Sequence, residues 1–204
     1  MVKSRTQRKR QTDLEIISEW IEPSSRVLDL GCGHGVFLEH LKNRRDIQGV
    51  GVDIDVSKIA SCVKRGVTAY QGDAITFMDV FEKGHFDWVV CSRTLQEISK
   101  PGEMLEKALE VGRNVAVGFT NYAFWKNRIY WLQNGKRPKN QVFTKDWGES
   151  RADVPISINV FETHCAQNNI KINQKIYLGS DWKTPVHRFP NLLSGYAIYS
   201  ICKK

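Results

Sequence analysis

At 204 residues, 41% hydrophobic and 25% charged, the chain has the size and balance of one globular domain with a full core. No stretch approaches the roughly 18 apolar residues of a membrane span, and the basic start lacks the apolar run of a secretory signal. Five cysteines, odd in number and never in C-x-x-C spacing, exclude a disulfide framework or structural zinc and point to reduced thiols in a cytoplasmic setting.

The formal net charge of +8 is unevenly placed. Residues 1–12 carry Lys3, Arg5, Arg8, Lys9 and Arg10 with no acid, and read as a flexible basic arm ahead of a single domain over 13–204. Residues 111–145 are also free of acids, and interleave their basic residues with Tyr122, Trp125, Tyr130 and Trp131. Basic plus aromatic suits nucleic-acid stacking. It equally suits a helix that buries its rings and shows its charges to a partner.

In chain order, Leu14, Ile17 and Ile21 share one face of a helix predicted from Asp13 to Ile21. Val27 to Leu30 is a short buried strand, and Gly31, Gly33 and Gly35 turn the chain into a helix from Val36 to about Lys42. Gln48 to Asp53 is a second strand, Val56 to Lys64 a helix closed by Gly66, and Val67 to Gln71 a third strand. A short helical piece near Ile75 to Phe81 precedes a fourth strand, Phe86 to Cys91, whose apolar run suits a strand covered on both faces. Pro101 opens a helix to about Leu109, and Val115 to Phe119 is a fifth strand. Asn121 to Leu132 reads as a helix closed by Asn134-Gly135. Residues 135–156 form a polar loop, long enough to suggest a role. A helix from about Asn159 to Asn168 and strands over Lys171 to Leu178 and Tyr196 to Cys202 finish the chain, the last two as a hairpin at the sheet edge. Alternation of strand and helix predicts an α/β fold with a mostly parallel sheet and right-handed crossovers.

Strand, glycine turn and helix open a nucleotide-binding fold. The dinucleotide fingerprint fails because its sixth position is Val36, and the phosphate loop fails because no Lys-Ser/Thr follows the turn. The stretch Asp29-Leu30-Gly31-Cys32-Gly33-His34-Gly35 instead resembles motif I of the class I S-adenosylmethionine (SAM)-dependent methyltransferases. That resemblance implies a Rossmann-like, mostly parallel seven-stranded sheet with an antiparallel last strand and helices on both faces. It also implies SAM as cofactor and S-adenosylhomocysteine (SAH) as product.

Ligands of open α/β sheets sit at the carboxyl ends of the strands. Gly31, Cys32 and Gly33 form the turn, where glycine lets backbone N–H groups approach a ligand. Asp29 either positions the turn or meets the ligand's amino group. Asp53, with Ile54 beside it, ends the second strand, where a carboxylate can accept from both ribose hydroxyls. Asp55 is the expected cap of the next helix. Asp73 can accept from an adenine amino group while the Ala74 N–H donates to a ring nitrogen. Cys91 and Ser92 are expected to line the methionine end. His34, His85, His164 and His187 have no partner identifiable from sequence, so no catalytic residue is assigned.

A closer resemblance covers nearly all the chain from Asp13 on. Arg26 to Gly35, Gly51 to Asp55, Lys58 to Val67, Thr94-Leu95-Gln96, Trp125-x-x-Arg128 and Pro190-Asn191-Leu192 resemble the methionine biosynthesis protein MetW family. This implies a methyltransferase-like protein associated with the homoserine O-acyltransferase of methionine synthesis. The chain departs from that family at His34, at Thr120, and over residues 147–156, where Val154 occupies a family histidine position. Three functions follow as expectations. One is a SAM-dependent methyltransferase on a small molecule, with an acceptor pocket over Ser92, Gln96 and Asn121. Another is a SAM-sensing, non-catalytic partner of the acyltransferase. The third is a nucleic-acid methyltransferase using a basic face that joins residues 3–10 to 126–145.

Overall fold

Seven strands form one sheet in the order β3-β2-β1-β4-β5-β7-β6. These are β1 (Arg26–Leu30), β2 (Gln48–Asp53), β3 (Thr68–Gln71), β4 (Phe86–Ser92), β5 (Gly112–Thr120), β6 (Ile170–Leu178) and β7 (Tyr196–Lys203). The computed structural model describes residues 5–136, 138 and 154–204, with side chains from residue 12 onward. Strands β1 to β5 pair in parallel. Strand β7 inserts antiparallel between β5 and β6. The hairpin expected at the edge is therefore present, with its second strand on the inside. This is the sheet of the class I methyltransferase fold.

The helices are α1 (Arg5–Trp20), α2 (Val36–Arg45), α3 (Val56–Lys64), α4 (Ala74–Met78), α5 (Pro101–Val111), α6 (Trp125–Asn134), α7 (Ile158–Gln167) and α8 (Pro190–Leu193). Strand alternation divides the core into two layers. Val27, Trp88, Val90 and Ile198 pack with Ile17 of α1, Leu38 of α2 and Cys62 of α3. Leu28, Val89, Val117 and Tyr199 face the other way, against Met78 of α4, Leu105 of α5 and Phe161 of α7.

Local chemistry sets the helix boundaries. Asp55 caps α3 as expected, its carboxylate accepting from the Ser57 N–H at 2.9 Å. Pro101 opens α5, and Gly135 closes α6 in the left-handed region. Three elements differ from expectation. Helix α1 begins at Arg5 rather than Asp13, because Arg, Lys and Gln are good helix formers and no Gly or Pro interrupts 5–12. Helix α6 begins at Trp125 rather than Asn121, because the Asn121 side chain is drawn into the fold and Phe124 is extended. Helix α8 has a single turn, too short to show a period. The expected loop over 135–156 lies mostly outside the described residues.

Candidate functional site

Strand β1 has neighbours β2 and β4 leaving in opposite directions along the sheet, which opens a crevice at their carboxyl ends. The glycine turn sits at this switch point. Gly31 has φ +75°, and a Cβ there would lie 2.4 Å from Thr94 Oγ1. Thr94 reaches it because its hydroxyl donates to the Leu30 carbonyl at 2.8 Å. The turn is stitched to β2. The N–H groups of Gly31 and Cys32 donate to the Val52 carbonyl at 2.8 and 3.1 Å, and the Gly33 N–H donates to Asp53 Oδ2 at 3.0 Å.

These bonds correct one expectation. The N–H groups of Gly31, Cys32 and Gly33 are all bonded within the protein, so none of the three is left to donate outward. Space is available, since a Cβ on Gly33 would meet nothing within 4 Å. The Cys32 side chain points under the turn, where its sulfur lies 3.9 Å from that of Cys62. Burial, then the charge of Asp29, pushes the Cys32 thiol well above its usual range, so it stays protonated.

Two carboxylates flank the turn from adjacent strand ends. Asp53 is 6% exposed and accepts from the Gly33 N–H, from the Asp55 N–H at 3.0 Å, and from Lys58 Nζ at 3.3 Å. Asp29 is equally buried, yet its carboxyl makes no hydrogen bond among the described residues. Burial and then repulsion from Asp53 push its carboxyl up to about 7. The Asp29 oxygens are not among the enclosed polar atoms that lack a partner, so the carboxyl keeps an open side while taking no protein donor.

The outer part of the crevice is formed by β2 and β3. Ile54 exposes an apolar side chain beside Asp53 (54%). Asp73 lies two residues beyond β3 and caps α4, with Oδ1 accepting from the N–H groups of Ile75 and Thr76, each at 3.0 Å. Its Oδ2 makes no hydrogen bond among the described residues, and Ala74 stands at the first position of that helix.

The end of β4 differs from expectation. Cys91 is fully buried in the core, where burial and then the Asp29 charge push its thiol up. The Ser92 hydroxyl donates to Asp13 Oδ2 at 3.0 Å and meets the Tyr196 hydroxyl at 3.3 Å. Arg93 Nη2 pairs with Asp13 Oδ1 at 2.5 Å, and its guanidinium lies 5.0 Å from the Trp182 ring centroid. Asp13, Arg93, Tyr196 and Trp182 were not singled out from sequence, since they meet only in the fold. Gln96 exchanges two hydrogen bonds with the Thr120 backbone. The Asn121 amide donates to the Asn191 and Ser194 carbonyls. The acceptor set expected over Ser92, Gln96 and Asn121 is thus occupied by the protein itself. His34 and His187 are exposed, and His164 meets Asn168 at 3.2 Å.

Helix α6 presents Trp125, Ile129, Trp131 and Leu132 to solvent, the last 86% exposed. The basic face expected to join residues 3–10 with 126–145 falls largely outside the described side chains. Among the described residues no group of three His, Cys, Asp or Glu could hold a metal, and no helix is long and apolar enough to cross a membrane.

The family described as methionine biosynthesis protein MetW matches residues 11–201. The chain belongs to that family. Among curated relatives, this MetW-family chain is 28% identical over 178 residues to a protein of Rhodopirellula baltica named bifunctional methionine biosynthesis protein MetXA/MetW. The match covers 83% of the chain but only 29% of that longer relative. Among solved structures it resembles a SAM-dependent methyltransferase from Archaeoglobus fulgidus, with TM-score 0.66, 18% identity, and coverage of 98% of this chain and 95% of that one. It also resembles the SAH-bound magnesium protoporphyrin IX methyltransferase of Synechocystis, with TM-score 0.65, 13% identity, and coverage of 98% and 83%. At these identities the structures establish the fold.

Proposed function

We propose that the crevice at the ends of β1, β2 and β3 binds SAM, and SAH as product, in the service of methionine biosynthesis. The observation that carries this reading is the buried, unbonded carboxyl of Asp29 beside the turn. An ammonium group, such as that on the methionine part of SAM, would supply the missing donors. Asp53 holds the ribose hydroxyls. Ile54 covers one face of the adenine, and the free Oδ2 of Asp73 takes its amino group. The turn offers no free N–H from Gly31, Cys32 or Gly33, which suits this phosphate-free ligand better than a nucleotide phosphate. Bound SAM supplies an activated methyl group. The chain's own part is to align that donor with an acceptor and keep water out.

The acceptor class we favour is a small molecule. The alternative is a non-catalytic SAM sensor acting on a homoserine O-acyltransferase in the cytoplasm. Two observations favour it: the commitment of Ser92, Gln96 and Asn121 to protein partners, and the exposed aromatic face of α6. The fused name of the Rhodopirellula baltica relative supports such a partnership. Titration calorimetry with SAM and SAH tests the common core of both readings. Saturable binding of each is expected, and no binding by either overturns it. Methyl transfer to any acceptor from a small-molecule extract then separates enzyme from sensor.

A further inference from the structure

The acceptor capacity of Asp53 is fully used. A carboxylate offers about four acceptor positions, two on each oxygen. Oδ1 accepts from the Asp55 N–H at 3.0 Å and from Lys58 Nζ at 3.4 Å. Oδ2 accepts from the Gly33 N–H at 3.0 Å and from Lys58 Nζ at 3.3 Å. The two backbone donors are fixed, one by the glycine turn and one by the start of α3. Lys58 alone can leave. Its side chain is 31% exposed, against 6% for Asp53, and it has a flexible four-carbon stem with water at hand.

We propose that Lys58 is a built-in competitor for the ribose subsite, its ammonium occupying the two positions on Asp53 that the ribose hydroxyls need. The inference rests on the SAM reading of Asp53 given above and adds a regulatory element to it. Two hydroxyl donors and two backbone donors fill the carboxylate, so a nucleoside can bind fully only when Lys58 swings into solvent. The Asp53–Lys58 ion pair is then present in the ligand-free state and absent from the complex. Affinity is held below what the pocket alone would give, by the strength of that pair.

The test is calorimetric titration of wild type, Lys58→Met and Lys58→Gln with SAM and with SAH. An ion pair worth up to about 1 kcal/mol corresponds to a gain of about two- to fivefold in affinity for both variants. SAH lacks the sulfonium charge, so an equal gain with SAH separates competition from a change in the local field. A second readout is thermal: the variants unfold at a lower temperature than wild type when free, and with it when saturated. Binding by wild type without a gain in either variant overturns the role of Lys58 and leaves the SAM reading standing. A gain confined to SAM also overturns it. No binding by any of the three proteins overturns both.

Discussion

The carboxylate of Asp13, on α1, accepts a hydrogen bond from the hydroxyl of Ser92, at the end of β4, across 79 residues of sequence. The same carboxylate accepts from Arg93 and from the Tyr196 hydroxyl at 3.2 Å. Asp13 is fully buried, and through it α1 is fastened over the end of the sheet by a polar point. Tyr196 stacks on Trp182 at 4.1 Å between ring centroids, which keeps water from that point.

Removing Asp13 leaves Arg93 without its anion. Breaking a buried ion pair from one side costs about 3–5 kcal/mol. Arg93 retains 24% side-chain exposure, so a cost near about 2–4 kcal/mol is expected for Asp13→Ala once solvent screening is counted. Urea unfolding measures it. Asp13→Asn, which can still accept, is expected to cost less. A loss under about 0.5 kcal/mol, the range of ordinary surface substitutions, would mean that α1 is held by its apolar face alone.

Asp29 makes the protein's stability depend on pH. Its carboxyl is raised from 3.8 to about 7 by burial and by Asp53. The folded state therefore holds this proton more tightly than the unfolded chain does. The stability associated with the neutral acid is fully present below 3.8 and is lost as pH rises toward about 7. Asp29→Asn removes this titration. Its unfolding temperature, compared with wild type, is expected to be nearly equal at pH 4 and clearly higher at pH 8. Ligand binding has the opposite demand. If an ammonium pairs with the ionised carboxylate, SAM binding at pH 7 releases about half a proton, since a group with pKa near 7 is then half ionised. Calorimetry in buffers of different ionisation enthalpy reads that number directly, and a value of zero would remove Asp29 from the ligand's amino group.

Asp53 has two duties. It receives the Gly33 and Asp55 N–H groups, and in our reading the ribose hydroxyls. Asp53→Ala is expected to weaken SAM binding by about 1–3 kcal/mol, the cost of a lost charged hydrogen-bond partner. Because the turn also depends on this side chain, Asp53→Asn is the sharper variant. It keeps one acceptor oxygen for the turn and forfeits part of the ribose contact. Unchanged affinity in a folded Asp53→Asn protein would remove Asp53 from the site.

How much of this was legible in the sequence follows from range. Strands β1 to β5, the helices between them and the Asp55 cap are written in local periodicity and turn residues, and they fall where expected to within a few residues. Asp29, Asp53 and Asp73 follow from position, because parallel strands deliver their last residues to one edge. The direction of an N–H is not written locally. The glycine turn suggests backbone N–H groups near a ligand, but not that those of Gly31, Cys32 and Gly33 donate to β2. Partnerships across the chain are equally hidden. Nothing near Ser92 announces that it will meet Asp13, and nothing near Asn121 announces that α8 will claim its amide. These long-range polar contacts consumed the residues that position alone had assigned to an acceptor.

Gly31 offers a clean separation of two costs. A Cβ there would stand 2.4 Å from Thr94 Oγ1 and 2.7 Å from Cγ2, and φ is +75°. Gly31→Ala is thus expected to lose about 1–2 kcal/mol for the left-handed backbone, and about 1–3 kcal/mol more for overpacking. Thr94→Ala opens the space but gives up the hydrogen bond to the Leu30 carbonyl, worth about 1 kcal/mol. In the double variant the two closest clashes are removed, leaving only the residue-94 Cβ at 3.1 Å, while the backbone cost remains. The double-mutant cycle should therefore show a favourable coupling of about 1 kcal/mol or more, well outside the few tenths expected of independent sites. Strict additivity would mean that the turn yields to the new methyl by moving, and that Thr94 does not hold it in place.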